Sequence, residues 1–416
     1  MKKKIKFYLN KLKGSLWFRP LLFCILSVIG ALISHKADGT RLNDLVPVIA
    51  VESIESLLNT ISASMLVIAT FAVASMISAF TAASNTATPR SFKIVVTDDV
   101  SQYALSIFIG AFIFSIVATI ALKNGYYDKA GRFVLFVFTL MLFAVVIVTF
   151  LRWVDRISRL GRLEHTIKQV ETVAKKALQS YINAPYLNAL PIMGEFEKGS
   201  AVFSRSTGYV QFIDIKGLQD LAEAHDVKIR LCCLVGKFVN ENSELALINE
   251  PLPMQNTNIK DKIYEAIQIG HYRLFEDDPR FGLIALTEIA SRALSPGIND
   301  PGTAIQIIGS HERLFFLWNA KRKDDKSLDV KYDRVEVNCI EMSDFFDDAF
   351  RPIARDGAGN IEVMLRLQKT FNALSLVNQS KIESVAKLYS KNTFLRAESH
   401  LENKQDIDLL KENILS

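Results

Sequence analysis

Histidine and cysteine are scarce in this chain, with six and four among 416 residues. The histidines (His35, His165, His225, His271, His311 and His400) are dispersed, so neither a His-centred triad nor a histidine metal cluster has local support. Of the cysteines Cys24, Cys232, Cys233 and Cys339, only the adjacent pair lies close together, and no second pair follows at zinc spacing. A structural zinc and a disulfide framework are therefore not expected. No nucleophile elbow, phosphate loop, zinc-protease signature or dinucleotide fingerprint occurs, so the sequence nominates no enzyme and no cofactor. Charge is missing too: the interiors of the long apolar runs hold no Asp, Glu, His, Lys or Arg. Coupled transporters keep groups that change charge inside their spans, so a pump or symporter is not expected. A channel stays open, because hydroxyls, carbonyls or charges at a mouth can select.

What is abundant is apolar sequence. Half the residues are hydrophobic and the mean hydropathy is +0.19, and the excess lies before Arg152. Four runs, at about 17–35, 58–84, 103–122 and 133–151, meet the requirement of about 20 apolar residues for a crossing helix. The first is the shortest, and a cleaved signal peptide competes for it. Its basic leader, MKKKIKFYLNKLKGSLWFR, is long and no small-x-small cleavage site follows, which favours a span. Lys and Arg concentrate in that leader, in the segment holding Arg90 and Lys93, and in RWVDRISRLGR. The positive-inside bias puts those segments, and both termini, on the cytoplasmic side. Arg90 and Lys93 are candidate headgroup contacts, and the lipid bilayer is the first expected partner. The net charge of +5 needs nothing beyond topology, and no nucleic acid is implied.

In the second run Thr70, Ala74, Ser78 and Ala82 recur every fourth residue, with Ser75, Ala79 and Ala83 beside them. Such small-xxx-small stripes let helix backbones approach closely in lipid, within one chain or between copies. The alternative is that the stripe lines a water-filled path. Either way a homo-oligomer is expected, with this span nearest the axis. The third run carries a milder version in Ser106, Gly110, Ala111 and Ser115, and the fourth is bulky and lipid-facing in composition.

The expected fold is an α-helical membrane domain of four transmembrane helices over 1–152, then a mixed α+β, mainly helical cytoplasmic domain. The latter divides into a helical linker (153–190) continuing the fourth span, a small β domain (191–255) and a helical domain (256–416). GYVQFID, VGKFV and NENSELALI alternate apolar and polar residues around turns. They resemble half of a barrel-sandwich hybrid, the fold of biotinyl and lipoyl carriers, although no lysine is presented between the strand groups as a carrier needs.

The stretch 292–314, RALSPGINDPGTAIQIIGSHERL, interrupts two apolar helical segments, and the residues singled out around it are Arg273, Asp277, Asp278, Arg292, Ser295, Asn299, Asp300 and Thr303. The arginines are read as lying on apolar helical faces, paired with Asp277 or Asp278 and with open turn carbonyls. Ser295 closes one helix, and Asp300 caps the next, with Pro301 at its first position and Thr303 at its third. The stretch is read as a structural corner held by buried ion pairs, ahead of catalysis or metal binding by Glu276, Asp277 and Asp278.

The stretches LLNTISASMLVIATFAVASMISAFTAASNTATPRSF, GYVQFID, GHYRLFEDDPRFGLIALTEIASRALSPGINDPGTA and DDAFRPIARDG occur in this order. Together they resemble a bacterial family of predicted membrane proteins, catalogued as the domain of unknown function DUF2254. The resemblance implies a protein of the bacterial inner membrane with four N-terminal spans. It brings no established activity. Two classes follow: a channel or pore with a cytoplasmic gating domain, or a membrane-anchored sensor or scaffold that binds a cytoplasmic partner.

Overall fold

The apolar runs become helices because a backbone in hydrocarbon must satisfy its own hydrogen bonds. The computed structural model describes residues 18–39, 45–86, 88–90, 99–159, 162–196, 199–249, 257–319, 329–377 and 380–415. Its chain divides into two compact units, Lys2–Thr166 and Ile167–Ser416.

The first unit contains four helices long and apolar enough to cross a membrane. They are α1 (Phe18–Ile33), α2 (Val51–Thr86), α3 (Asp99–Lys123) and α4 (Lys129–Ile157). Helices α2, α3 and α4 overrun their apolar runs, since polar turns add length without adding hydropathy. At 36 residues α2 is about 54 Å long, well beyond a hydrocarbon core of about 30 Å. Its first turns carry Glu52 and Glu55, and Glu55 pairs with Lys123 of α3 at 2.7 Å.

The central helix is α3, which packs against the other three. Its small residues make this possible: Ala104, Ser106, Ala111, Ser115 and Ala118 are all buried. At Gly110 a side chain would begin 3.2 Å from the Phe23 Cβ of α1. A buried Trp153 of α4 meets the rings of Phe71, Phe108 and Phe150 at 6.1–6.3 Å. The opposite ends are tied by hydrogen bonds. Tyr127 donates to the Ala31 carbonyl at 2.8 Å, and the Asp38 carboxylate accepts from the Asp128 and Gly131 N–H groups that open α4. The outer face of α4 bears exposed Met141, Phe143, Val145 and Val148.

The expectation that the helical linker continues the fourth span without a break is corrected. Helix α4 ends at Ile157 with a turn at Ser158 and Arg159, and a new helix, α5 (Leu163–Asn183), follows. The intervening sequence holds Gly161, and glycine in a helix interior costs about 1 kcal/mol relative to alanine. Positions 160 and 161 lie outside the described residues.

The second unit is mixed. One sheet has five strands in the order β1 (Ala189–Pro191), β8 (Tyr332–Val337), β4 (Ile229–Leu231), β6 (Glu244–Ile248) and β2 (Ser200–Phe203). The β1–β8 and β8–β4 pairs are parallel and the others antiparallel. An antiparallel sheet of three strands runs β5 (Phe238–Val239), β3 (Gly208–Ile213) and β7 (Ile267–Gly270). Strands thus come from both sides of 191–255, and among the described residues no sheet closes into a barrel. Helix α6 (Ile215–Ala224) is capped by Asp214, and its Leu218 joins Val210, Ile229, Val239, Leu245 and Val335 in one core.

Helix α7 (Thr257–Ala266) leads into β7, and the remaining elements are helical: α8 (Phe281–Ala293), α9 (Pro301–Phe315), α10 (Met342–Asp356), α11 (Ile361–Ser375), α12 (Ser380–Glu398) and α13 (Lys404–Lys411). Their core is aromatic, with Phe315, Phe346, Phe350 and Phe371 buried in a connected set of ring contacts and Phe345 buried beside Trp318.

Candidate functional site

The residues singled out between 273 and 303 do not form one cluster. They fall at the two ends of α8, a helix of 13 residues and therefore about 20 Å long.

At its start, Asp278 is buried and its carboxylate accepts four hydrogen bonds. Arg273 donates through Nε at 2.7 Å and Nη2 at 2.9 Å, and the backbone N–H groups of Arg280 and Phe281 each donate at 3.1 Å. One side chain therefore caps a helix and neutralises a cation. Arg273 is in turn covered by the Phe281 ring at 5.4 Å. Its place on a helical face is corrected: Arg273 follows strand β7 in an irregular segment, because IQIG pairs with β3 before the helix pattern can resume. Asp277 is exposed.

Sequence reasoning missed four further members. Arg280 makes a bidentate pair with Asp348 of α10 at 2.5 and 3.1 Å, and Asp344 lies 3.5 Å away. Burial opposes that charge, yet the Asp348 carboxylate holds the Arg280 guanidinium above its usual range. Gly236 in the β4–β5 turn has φ +90°, and a Cβ there would lie 2.4 Å from Asp278 Oδ2. Only glycine admits this approach. Asp344 and Asp348 lay in plain view among the acidic residues of DFFDDAFRP, but nothing local names their partner.

At the other end of α8 the chain turns by backbone hydrogen bonds. The Arg292 carbonyl accepts from Ser295 Oγ at 2.7 Å, the Ser295 carbonyl from the Ile298 and Asn299 N–H groups, and the Ala293 carbonyl from Asp300 N–H at 2.8 Å. Asn299 occupies the left-handed region at φ +49°, which asparagine tolerates better than most residues. Asp300 then caps α9, accepting from Thr303 N–H at 3.1 Å and Thr303 Oγ1 at 2.6 Å. These bonds, the hydroxyl first, hold its carboxyl below the usual carboxylate range. Pro296, Gly297, Ile298 and Asn299 are exposed, whereas the buried Arg273–Asp278 pair lies at the start of α8.

A second missed group lies between the helices. His311 is fully buried, and its Nε2 lies 3.0 Å from Thr287 Oγ1, which donates onward to the Ala349 carbonyl at 3.0 Å. Thr287 spends its proton on that carbonyl, so Nε2 of His311 must be the donor to Thr287. Nδ1 has no hydrogen-bond partner among the described residues. Burial pushes the imidazole down to about 3, so it is neutral. Among the described residues no cluster of His, Cys, Asp or Glu could hold a metal.

In the first unit, α2 packs on its neighbours through Ile54, Leu58, Ile61, Met65, Ala72 and Met76. The stripe of Thr70, Ala74, Ser78 and Ala82 is exposed on another side, among the exposed Val67, Phe71 and Ile77. Packing of that stripe within the chain is thereby corrected, since a different set of residues at 3–4 spacing makes the seam. Thr70 donates its hydroxyl to the Val67 carbonyl at 2.8 Å, which leaves an acceptor oxygen for any neighbour. Arg90 is exposed, and Lys93 lies outside the described residues.

A family model described as "Predicted membrane protein (DUF2254)" matches residues 13–373. Curated relatives include the uncharacterized proteins Rv1290c of Mycobacterium tuberculosis (strain ATCC 25618 / H37Rv) and Mb1321c of Mycobacterium bovis, each 32% identical over 105 residues. The match covers 24% of this chain and only 20% of the length of either relative. No solved structure matches the chain.

Proposed function

The chain belongs to the predicted-membrane-protein family DUF2254, and from that premise we propose that it is a homo-oligomeric channel or pore for ions or small solutes. In this reading it is a multi-pass protein of the bacterial inner membrane with both termini cytoplasmic. The second unit is its cytoplasmic gating domain, with a barrel-sandwich-like β part in which two sheets share one core. The observation that carries the reading is the outward stripe of Thr70, Ala74, Ser78 and Ala82. Small and hydroxyl side chains suit close helix approach around an axis, and hydroxyl oxygens give a permeant species something to meet. Absence of charge from the interiors of the spans fits passive conduction better than coupled transport.

A second reading, a non-transporting sensor or scaffold that binds a cytoplasmic partner, draws on a different feature. Phe238 and Tyr272 are 55% and 76% exposed on either side of β3. Exposed aromatic pairs of this kind are enriched where proteins dock.

Single cysteines at Ser78 and Phe80, in a background lacking the four native cysteines, separate the two. Phe80 is half-buried beside Ala79, and Ser78 is exposed. The pore reading expects Ser78→Cys to react with a charged, impermeant thiol reagent and to crosslink between copies, and Phe80→Cys to do neither. If Ser78→Cys neither reacts nor crosslinks in a folded, membrane-inserted protein, the pore is rejected and a binding partner becomes the object of search.

A further inference from the structure

We propose that the second unit binds a phosphate group over Gly309, between Arg313 of α9 and Arg366 of α11, at a site that does not depend on the pore reading. Gly309 stands in the interior of α9, where glycine costs stability relative to alanine. The fold does not require it there. Its backbone is not in the left-handed region, and among the described residues a Cβ would meet only Arg366 Nη2 at 3.5 Å and Arg313 Nη1 at 3.6 Å. Both are ordinary contact distances. Position 309 is therefore bare helix backbone beneath two guanidinium nitrogens.

Carboxylates hold those nitrogens in place. Arg313 donates to Glu171 of α5 through Nε at 2.8 Å and Nη2 at 2.7 Å, and Nη2 donates also to Ser310 Oγ at 3.0 Å. Among the described residues the N–H groups of its Nη1, the nitrogen over Gly309, have no acceptor. Arg366 donates through Nη2 to Glu312 Oε2 at 2.9 Å, and Thr370 Oγ1 donates to the same oxygen at 2.7 Å. A guanidinium carries five N–H donors, so the second N–H of that Nη2 is also left over. Charge-assisted N–H···O bonds are about 2.8 Å long, which brings both nitrogens within reach of the oxygens of one phosphate. The charge around them does not cancel. Lys168 and Lys175, three residues before and four after Glu171 on α5, are exposed and without an ion pair among the described residues. On α11 Glu362 and Lys369 flank Arg366 and offset each other. Arg313, Arg366, Lys168 and Lys175 thus stand against Glu171 and Glu312, an excess of two positive charges. A carboxylate brings one charge and one pair of oxygens. A phosphate, with more oxygens and a second charge, answers both sets of donors and the excess.

The test uses the full chain in detergent, followed by titration calorimetry and thermal unfolding. Inorganic phosphate, adenosine monophosphate and phosphatidylglycerol are added separately, with sodium chloride at matched ionic strength as the reference. The expected result is binding of a phosphate-bearing probe above that reference. The tightest of the three identifies the source as free phosphate, a soluble ester or a lipid headgroup. Arg366→Ala should weaken this binding about tenfold, the scale of one hydrogen bond to a charged group, and Arg366→Lys should retain part of it. Gly309→Ala separates binding from folding. It should raise the unfolding temperature of the ligand-free protein, because alanine is the better helix former, and weaken phosphate binding, because its methyl takes the space over the backbone. No probe binding above the chloride reference, binding unchanged in Arg366→Ala, or binding unchanged in Gly309→Ala would each overturn the proposal.

Discussion

Asp278 and Asp300 both cap helices, and they differ in what else depends on them. Removing Asp300 leaves the Thr303 N–H unsatisfied at an accessible helix start, at a cost of about 1 kcal/mol. Removing Asp278 strips two backbone N–H groups and also leaves Arg273, 16% exposed, without its carboxylate. Breaking a buried pair in this way costs about 3–5 kcal/mol. Asp278→Ala should therefore lower the unfolding temperature several times more than Asp300→Ala, as followed by circular dichroism of the full chain in detergent. The Asp300 contribution also has a sign in pH. Its carboxyl is held low in the folded state, so its stabilisation is present above the usual carboxylate range and is lost as pH falls through the folded value. The deficit of Asp300→Ala should shrink in acid. If Asp300→Ala leaves stability untouched while a cellular phenotype disappears, the corner carries function and the structural reading of it is wrong.

Helix α2 shows how one element serves two surfaces. Ala72 is fully buried in its seam, whereas Ala74, two residues on, faces out. A leucine at position 72 overpacks the bundle, at about 1–3 kcal/mol. A leucine at position 74 starts from an exposed site and widens the helix where a second copy would approach. The expected outcome is that Ala72→Leu lowers thermal stability and Ala74→Leu lowers the oligomer fraction in crosslinking while the monomer stays folded. A reversed pattern would transfer the stripe to lipid contact.

At the scale of the whole molecule, each unit has its own core, and the helical core of the second contains a titratable group that never meets water. His311 is buried neutral, with its imidazole down to about 3, whereas in the unfolded chain it protonates near 6.5. Between those values the unfolded state binds one proton more than the folded one, so stability rises with pH there and falls as the solution is acidified. The slope from this residue alone is about 1.4 kcal/mol per pH unit. Urea titrations of the full chain between pH 7 and pH 5 should show this loss, and His311→Gln should flatten it. A variant with an unchanged slope would mean that other groups govern the acid response.

The sequence by itself determined the local features. Spans are legible because hydrocarbon imposes length and apolarity on consecutive residues, and the Asp300 cap is legible because donor and acceptor lie three positions apart. Even the alternation of GYVQFID announces a strand. What the tertiary structure decided is pairing at a distance. The β8 strand, Tyr332–Val337, inserts between β1 and β4, more than a hundred residues away from either, and no periodicity encodes that choice. The same holds for Arg280 finding Asp348, for His311 resting on Thr287, and for Gly236 pressing against Asp278. The outward direction of the Thr70–Ala74–Ser78–Ala82 stripe was likewise decided by packing. A four-residue period fixes which side chains share a face but not which way the face turns. That depends on the competing seam of larger residues on α2, which buries more surface against α3 and so claims the interior.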